Sequence, residues 1–267
     1  MPRGLSEYDS AKLQGRLWTP DMARASARPG MWLDCSDTST YTVDADGVNT
    51  LRDKAGIVAN FTQSTASSKP KVVTHAASGL PALSFDGTDW LSSTSGITSG
   101  SYSGDLTFLY FATRTSVGSG AGGDLFTERL VAAGQGGYLL VWAEFASTYY
   151  IADGVTVSLS VFDLLLQDGA VVVQNHRSGL TNQLWVNGAS QTVTGATGNI
   201  TGTNGSYLGT RSGSVGPWEG LVGELIALTS TPDTYDMQLY EGYLAWKWNR
   251  PLVATHRFAN RPPLNGD

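Results

Sequence analysis

From residue 31 onward the chain alternates short runs of β-branched, aromatic and leucine residues with clusters of glycine, aspartate and serine. This punctuation restricts it to strands joined by turns. Pro81-Ala82-Leu83-Ser84-Phe85 leads into Asp86-Gly87, the 105–113 run leads into the glycine-rich 117–123, and 183–186 ends in the turn pair Asn187-Gly188. Further runs occupy 138–145, 170–176 and 221–229. Leu106-Thr107-Phe108-Leu109-Tyr110-Phe111 is apolar at both alternating positions. Successive side chains of a strand point to opposite faces, so such a strand is buried on both sides or borders a second sheet. An antiparallel two-sheet sandwich meets that need.

Composition supports this and excludes several alternatives. At 267 residues one large domain is ample for a sizeable core, and 32 glycines with only 15% charged residues suit tight turns better than helical bundles. A hydrophobic content of 41% argues against disorder. The net charge of -6 opposes nucleic-acid binding, which needs a basic surface to displace counterions. The two ends are basic relative to an acidic body, around Arg16, Arg24 and Arg28 and around Lys247, Arg250, Arg257 and Arg261. Cys35 stands alone, so no disulfide forms within the chain, and no cysteine and histidine cluster has zinc-site spacing. With no apolar run long enough to span a bilayer and no secretory signal, the expectation is a protein made in the cytoplasm, without membrane insertion.

The ends differ from the middle. Ser6-Glu7-Tyr8-Asp9 reads as a capping box opening a short helix that Trp18-Thr19-Pro20 closes. Residues 1–30 thus form an arm with Arg16, Trp18 and Arg24 as candidate docking residues, the alternative being that the arm packs on its own sandwich. Thr231-Pro232-Asp233 opens a C-terminal helix with Met237, Tyr240, Leu244 and Trp248 at helical spacing, and Asn249-Arg250-Pro251 ends it. The division is arm 1–30, sandwich 31–250 and surface-lying tail 251–267.

Several stretches together carry a resemblance. They are Leu17-Trp18-Thr19-Pro20, Trp32-Leu33-Asp34, Leu51-Arg52-Asp53-Lys54-Ala55-Gly56, Pro81 to Gly87, Leu184-Trp185-Val186-Asn187-Gly188, and Gly220 to Leu228 followed by Glu241-Gly242-Tyr243-Leu244-Ala245-Trp246-Lys247-Trp248. In this order and spacing the chain resembles the laminin-G-like/concanavalin A-like jelly-roll domains of tailed-bacteriophage and prophage virion proteins. The resemblance implies an all-β, two-sheet antiparallel jelly-roll sandwich with a short N-terminal helical arm and one C-terminal helix. It also implies a location in the virion, other virion proteins as partners, and a homo-oligomer, a trimer foremost. Cys35, where alanine is usual, and Ala55-Gly56-Ile57-Val58, where a Gly-Asn-Gly turn is usual, depart from the pattern.

The chemistry-bearing patterns favour binding over catalysis. A glycosidase needs two carboxylates roughly 5 to 9 Å apart, whereas Asp163 and Asp168 have the odd spacing that puts them on opposite strand faces. His75, His176 and His256 lie near no nucleophile-elbow motif. The 118–123 glycine pattern has no following amphipathic helix to bind phosphate. Asp86 and Asp89 are the candidate ligands for a calcium ion at the sandwich rim, with an Asp-Gly turn as the alternative. Trp142, Tyr149, Tyr150 and Trp218 sit beside turn-rich segments and are the candidate glycan-stacking residues, because flat aromatic faces suit the C–H surface of a sugar. The expectation is a non-enzymatic virion protein of the tail, baseplate or fibre region, whose jelly roll binds a host-surface glycan or docks to neighbours. A decoration or collar protein without ligand is the alternative, and a glycoside hydrolase a further one.

Overall fold

The computed structural model describes residues 16–97, 101–102, 106–114, 123–128, 139–142, 169–176, 183–191, 200–201, 205–210 and 216–267. The first strands in chain order are β1 (Met31–Asp34), β2 (Tyr41–Asp44), β3 (Gly47–Leu51), β4 (Phe61–Thr62), β5 (Lys71–Thr74), β6 (Pro81–Asp86) and β7 (Leu91–Ser93). There follow β8 (Ser101–Tyr102), β9 (Leu106–Arg114), β10 (Gly123–Glu128), β11 (Leu139–Trp142) and β12 (Ala170–His176). The last are β13 (Gln183–Val186), β14 (Ala189–Gln191), β15 (Ile200–Thr201), β16 (Ser206–Leu208) and β17 (Glu219–Leu228), before helix α1 (Thr234–Lys247).

Two antiparallel sheets carry the fold. The eight-stranded sheet runs β14-β13-β12-β9-β17-β6-β5, with β1 also paired to β17, and the seven-stranded sheet runs β11-β10-β16-β7-β4-β3-β2. The short β8 and β15 pair with each other. Between the sheets lies a core that includes Met31, Leu33, Phe61, Phe85, Phe108, Tyr110, Phe126 and Leu225. A second core, with Trp32, Leu109, Phe111, Ile226, Tyr240 and Trp248, lies on the other side of the eight-stranded sheet.

Strand β9 shows why two cores form. Every one of its residues is buried, and its alternate side chains divide: Phe108, Tyr110 and Ala112 enter the inter-sheet core, Leu109 and Phe111 the helix-side core. The apolar character at both positions therefore reports cover on both faces. On β17 the register against β9 shifts between Val222 and Glu224, a bulge at Gly223. A Cβ at Gly223 would sit 2.6 Å from both Phe111 and Trp248, which stack there with centroids 4.6 Å apart.

Helix α1 begins where Asp233 accepts the backbone N–H of Asp236 at 2.9 Å. It ends with Asn249 at φ 54, a left-handed residue that breaks the helical path while Arg250 N–H closes on the Ala245 carbonyl. The helix is buried on most of its circumference because both chain ends cover it. Trp18 packs edge-on against Tyr240 at 4.9 Å, and Trp246 Nε1 donates to the Phe258 carbonyl at 2.8 Å. The ends also join each other: Leu17 and Leu264 form a β-bridge, Trp18 N–H donates to the Pro263 carbonyl, and Asn265 N–H donates to the Arg16 carbonyl.

These contacts correct the reading of residues 16–30 as a docking arm. Trp18 is 4% exposed and belongs to the helix-side core. Arg24 grips Asp236 with Nε and Nη2 at 3.0 and 2.6 Å, and Asp233 at 2.7 Å. Arg16 is exposed, but its backbone is held by the 251–267 segment. That segment in turn buries Leu252, His256 and Phe258. Residues 1–15, with the Ser6 to Asp9 motif, lie outside the described residues.

Candidate functional site

Antiparallel register places Asp34 of β1 directly opposite Glu224 of β17. Directly opposed side chains share a face, here the helix side, and like charges in that position repel. Lys247, in the last turn of α1, comes down between them, with Nζ 2.8 Å from Asp34 Oδ1 and 2.7 Å from Glu224 Oε2. Glu224 is fully buried and every lone pair has a use. Oε1 accepts from Trp32 Nε1 at 2.6 Å and from the Tyr243 hydroxyl at 3.0 Å, and Oε2 also accepts from Trp248 Nε1 at 3.3 Å. Tyr243 in turn accepts from Lys247 at 3.0 Å.

Lys54 approaches Asp34 from the outside, with Nζ 3.1 Å from Asp34 Oδ2 and 3.0 Å from Asp37 Oδ2. It also lies over the Trp32 ring at 4.2 Å. Asp53 builds the loop that carries Lys54. Its carboxylate accepts the N–H groups of Trp32, Ala55, Ile57 and Val58, so the Ala55-Gly56-Ile57-Val58 departure is closed by one aspartate and by Gly56 at φ 71. Burial works to raise the Asp34 carboxyl, yet Lys247 and Lys54 together outweigh it and hold the group far below its usual range. For Glu224 burial prevails and pushes the carboxyl up, with the nearby Asp34 charge adding to it and Lys247 opposing.

This network is the floor of an open cavity of about 530 Å³, within the range of small-ligand sites. Leu17, Met22, Trp32 and Leu80 supply apolar wall, while Thr19, Asp21, Ser36, Asp37, Thr38 and Lys54 supply polar groups. Met22 is 42% exposed, a large hydrophobic side chain at the mouth. Reading the sequence alone missed Asp34, Glu224 and Lys247 as a set. The available signal was an acid at the end of the apolar run 31–34, another inside the apolar run 221–228, and one lysine between two tryptophans, since an isolated charge in an apolar run requires a partner.

The residues singled out from sequence fare differently. Trp218 is fully buried in the inter-sheet core, because the strand that follows carries it inward, and it offers no face to a sugar. Trp142 closes β11 opposite Gly123; its side chain, with Tyr149 and Tyr150, lies outside the described residues. Asp86 accepts from the N–H and hydroxyl of Thr88 at 2.8 and 2.7 Å, and Asp89 accepts from Asp86 N–H at 3.1 Å. The pair therefore shapes its own turn. Among the described residues no three histidine, cysteine or acidic side chains gather in a way that would hold a metal ion. Burial first, then the Asp86 charge, raises Asp89 to about 6.

Two histidines are structural. His75 Nδ1 lies 2.8 Å from Ser78 Oγ and its ring packs on Phe111 and Trp248. His256 is buried against Glu241 at 3.2 Å. Cys35 is fully buried, and burial raises its thiol well above the usual range, which leaves it inert. Asp163 and Asp168 lie outside the described residues.

No protein-family model and no curated protein matches the chain. Solved structures do. The binding domain of Paraclostridial Mosquitocidal Protein 1 is similar with a TM-score of 0.57 at 12% identity, covering 84% of this chain and 55% of that one. The ligand-binding domain of botulinum neurotoxin serotype D, in complex with N-acetylneuraminic acid, gives 0.51 at 11%, covering 84% and 54%. Trypanosoma rangeli sialidase gives 0.53 at 11%, covering 82% and 33%. The chain thus spans about half the length of the toxin domains and a third of the sialidase. At these identities the likeness is one of fold: the chain is a two-sheet antiparallel β-sandwich with a C-terminal helix packed outside it.

Proposed function

We propose that the chain is a non-enzymatic, lectin-like glycan-binding module, and that the cavity walled by Trp32, Met22, Asp37 and Lys54 receives a sugar. The observation that carries the reading is the cavity itself, where apolar wall and paired hydroxyl, carboxylate and ammonium groups meet in a space fit for a sugar ring. Fold-level likeness to a toxin domain in complex with N-acetylneuraminic acid supports it by analogy. Catalysis is disfavoured by chemistry. Asp34 and Glu224 are the opposed carboxylates a glycosidase would want, but their oxygens are taken up by Lys247, Lys54, Ser36, Trp32, Tyr243 and Trp248. Neither is free to act as acid or nucleophile.

The finer reading places the module in a phage virion, at the tail, baseplate or fibre, as a homo-oligomer among other virion proteins. Its support is the sequence resemblance to virion jelly rolls. Mass spectrometry of purified particles, with antibody labelling in the electron microscope, should find the protein at the tail; its absence from particles overturns this placement. For the glycan reading, an array of sialylated, neutral and lipopolysaccharide glycans should show saturable binding. Met22→Trp, which fills the cavity mouth without touching the core, should abolish binding of a cavity ligand while leaving the melt unchanged. Silence of the wild-type protein on the array overturns the reading in favour of a structural decoration or collar protein.

A further inference from the structure

We infer that the solvent face of the seven-stranded sheet carries a second site, for an uncharged oligosaccharide lying across the strands. Register runs unbroken from Thr42 to Thr50, Thr62, Ser92, Tyr207 and Thr127, each directly opposite the next on β2, β3, β4, β7, β16 and β10. The residues beside them, Tyr41, Leu51, Phe61, Leu91, Leu208 and Phe126, all lie in the inter-sheet core. Alternation therefore turns the row to the other face, and it is open to solvent from Thr42 to Tyr207. With strands ~4.8 Å apart the open part of the row, Thr42 to Tyr207, extends roughly 19 Å, the length of several sugar rings.

The chemistry of the row is uniform. Every member carries a hydroxyl and none a charge. Thr42 and Thr62 are exposed, and Thr50, Ser92 and Tyr207 partly so. Trp90, also partly exposed, flanks the row and meets Tyr207 with ring centroids 5.9 Å apart. Its backbone is fixed at both ends, N–H to the Ser68 carbonyl at 3.0 Å and carbonyl from Gln63 Nε2 at 3.1 Å. A held indole beside a phenol presents the apolar surface that sugar C–H faces pack against. At the end of the row Thr127 is 5% exposed and its Oγ1 has no hydrogen-bond partner in the protein. That hydroxyl is closed to solvent, so the accessible part of the row ends at Tyr207, and each open hydroxyl there can both donate to and accept from a sugar. An acidic sugar gains nothing from a row without a cation, on a protein of net charge -6.

The inference rests on the glycan-binding reading above but uses the opposite face of the molecule, so the two are separable. The test is calorimetry of the full chain with malto-, cello- and manno-oligosaccharides of increasing length and with a sialyl-lactose. At least one neutral series should bind with affinity that rises with length. Trp90→Ala should weaken it about tenfold or more, as loss of an aromatic stacking surface does. Tyr207→Ala should weaken it severalfold, and Met22→Trp should leave it unchanged. Neutral binding that is insensitive to both Trp90→Ala and Tyr207→Ala overturns the inference, as does binding that Met22→Trp alone abolishes, which leaves the cavity reading standing. Absence of all glycan binding overturns both. Self-association that Thr62→Lys abolishes would make the face a contact between copies and overturn it too.

Discussion

Lys247 sits between two carboxylates that the sheet register forces together, and the energetics of that triad belong to the tertiary structure. Removing the ammonium would leave Glu224 fully buried with uncompensated charge beside Asp34. Lys247→Met is therefore expected to cost about 3–5 kcal/mol, read as a lower urea midpoint. Adding Glu224→Gln should recover much of the loss, since Asp34 keeps Lys54. Asp89 works in the opposite sense. Its carboxyl rises from 3.8 to about 6 on folding, so the folded state holds the proton more tightly than the unfolded one. The stability tied to that proton is complete below about pH 4 and is lost as pH rises through 6. Asp89→Asn keeps an acceptor for Asp86 N–H and should raise the melting temperature at pH 7 by about 2 °C. The difference should vanish below pH 4, and a gain that persists in acid would assign the effect to something other than titration.

At the scale of elements, β9, β17 and α1 were legible because their patterns are strong. Nine consecutive buried residues in β9 follow from apolar character at both alternating positions, and α1 follows from an N-cap aspartate and helical spacing. The bulge in β17 was not legible, although glycine inside a strand is its usual sign, because a bulge depends on which strand lies alongside. Gly223→Ala places a methyl group 2.6 Å from Phe111 and Trp248, side chains packed against each other with no room to yield. The expected cost is about 1–3 kcal/mol of overpacking, measured by chemical denaturation. A neutral result would mean that the stacked pair moves. Arg24 illustrates the same limit: its ion pairs lie more than two hundred residues away, at Asp233 and Asp236, and no local pattern announces them.

For the whole molecule, the two chain ends are structural parts of the sandwich. Trp18, Ala23 and Ala27 are buried, and the Tyr240 hydroxyl donates to the Ala27 carbonyl at 2.6 Å. Trp18→Ala alone should cost about 3–5 kcal/mol, and deletion of residues 1–28 should abolish the cooperative melt and expose dye-binding surface. A truncated protein that melts like the full chain would return the segment to the role of a detachable arm. Period-two hydrophobicity, turn chemistry and one capped helix determined the class of fold, because those signals act over a few neighbours. The chain by itself therefore specified a two-sheet sandwich with one C-terminal helix. Tertiary structure alone decided that Asp34, Glu224 and Lys247 meet, that Trp218 turns inward, and that six hydroxyls align across the seven-stranded sheet. The meeting of Asp34 with Glu224 and the row of hydroxyls rest on strand register, and a shift of one residue would send those strand side chains to the other face; Lys247 and Trp218 are set by how the helix and the approach to β17 pack on the sheets.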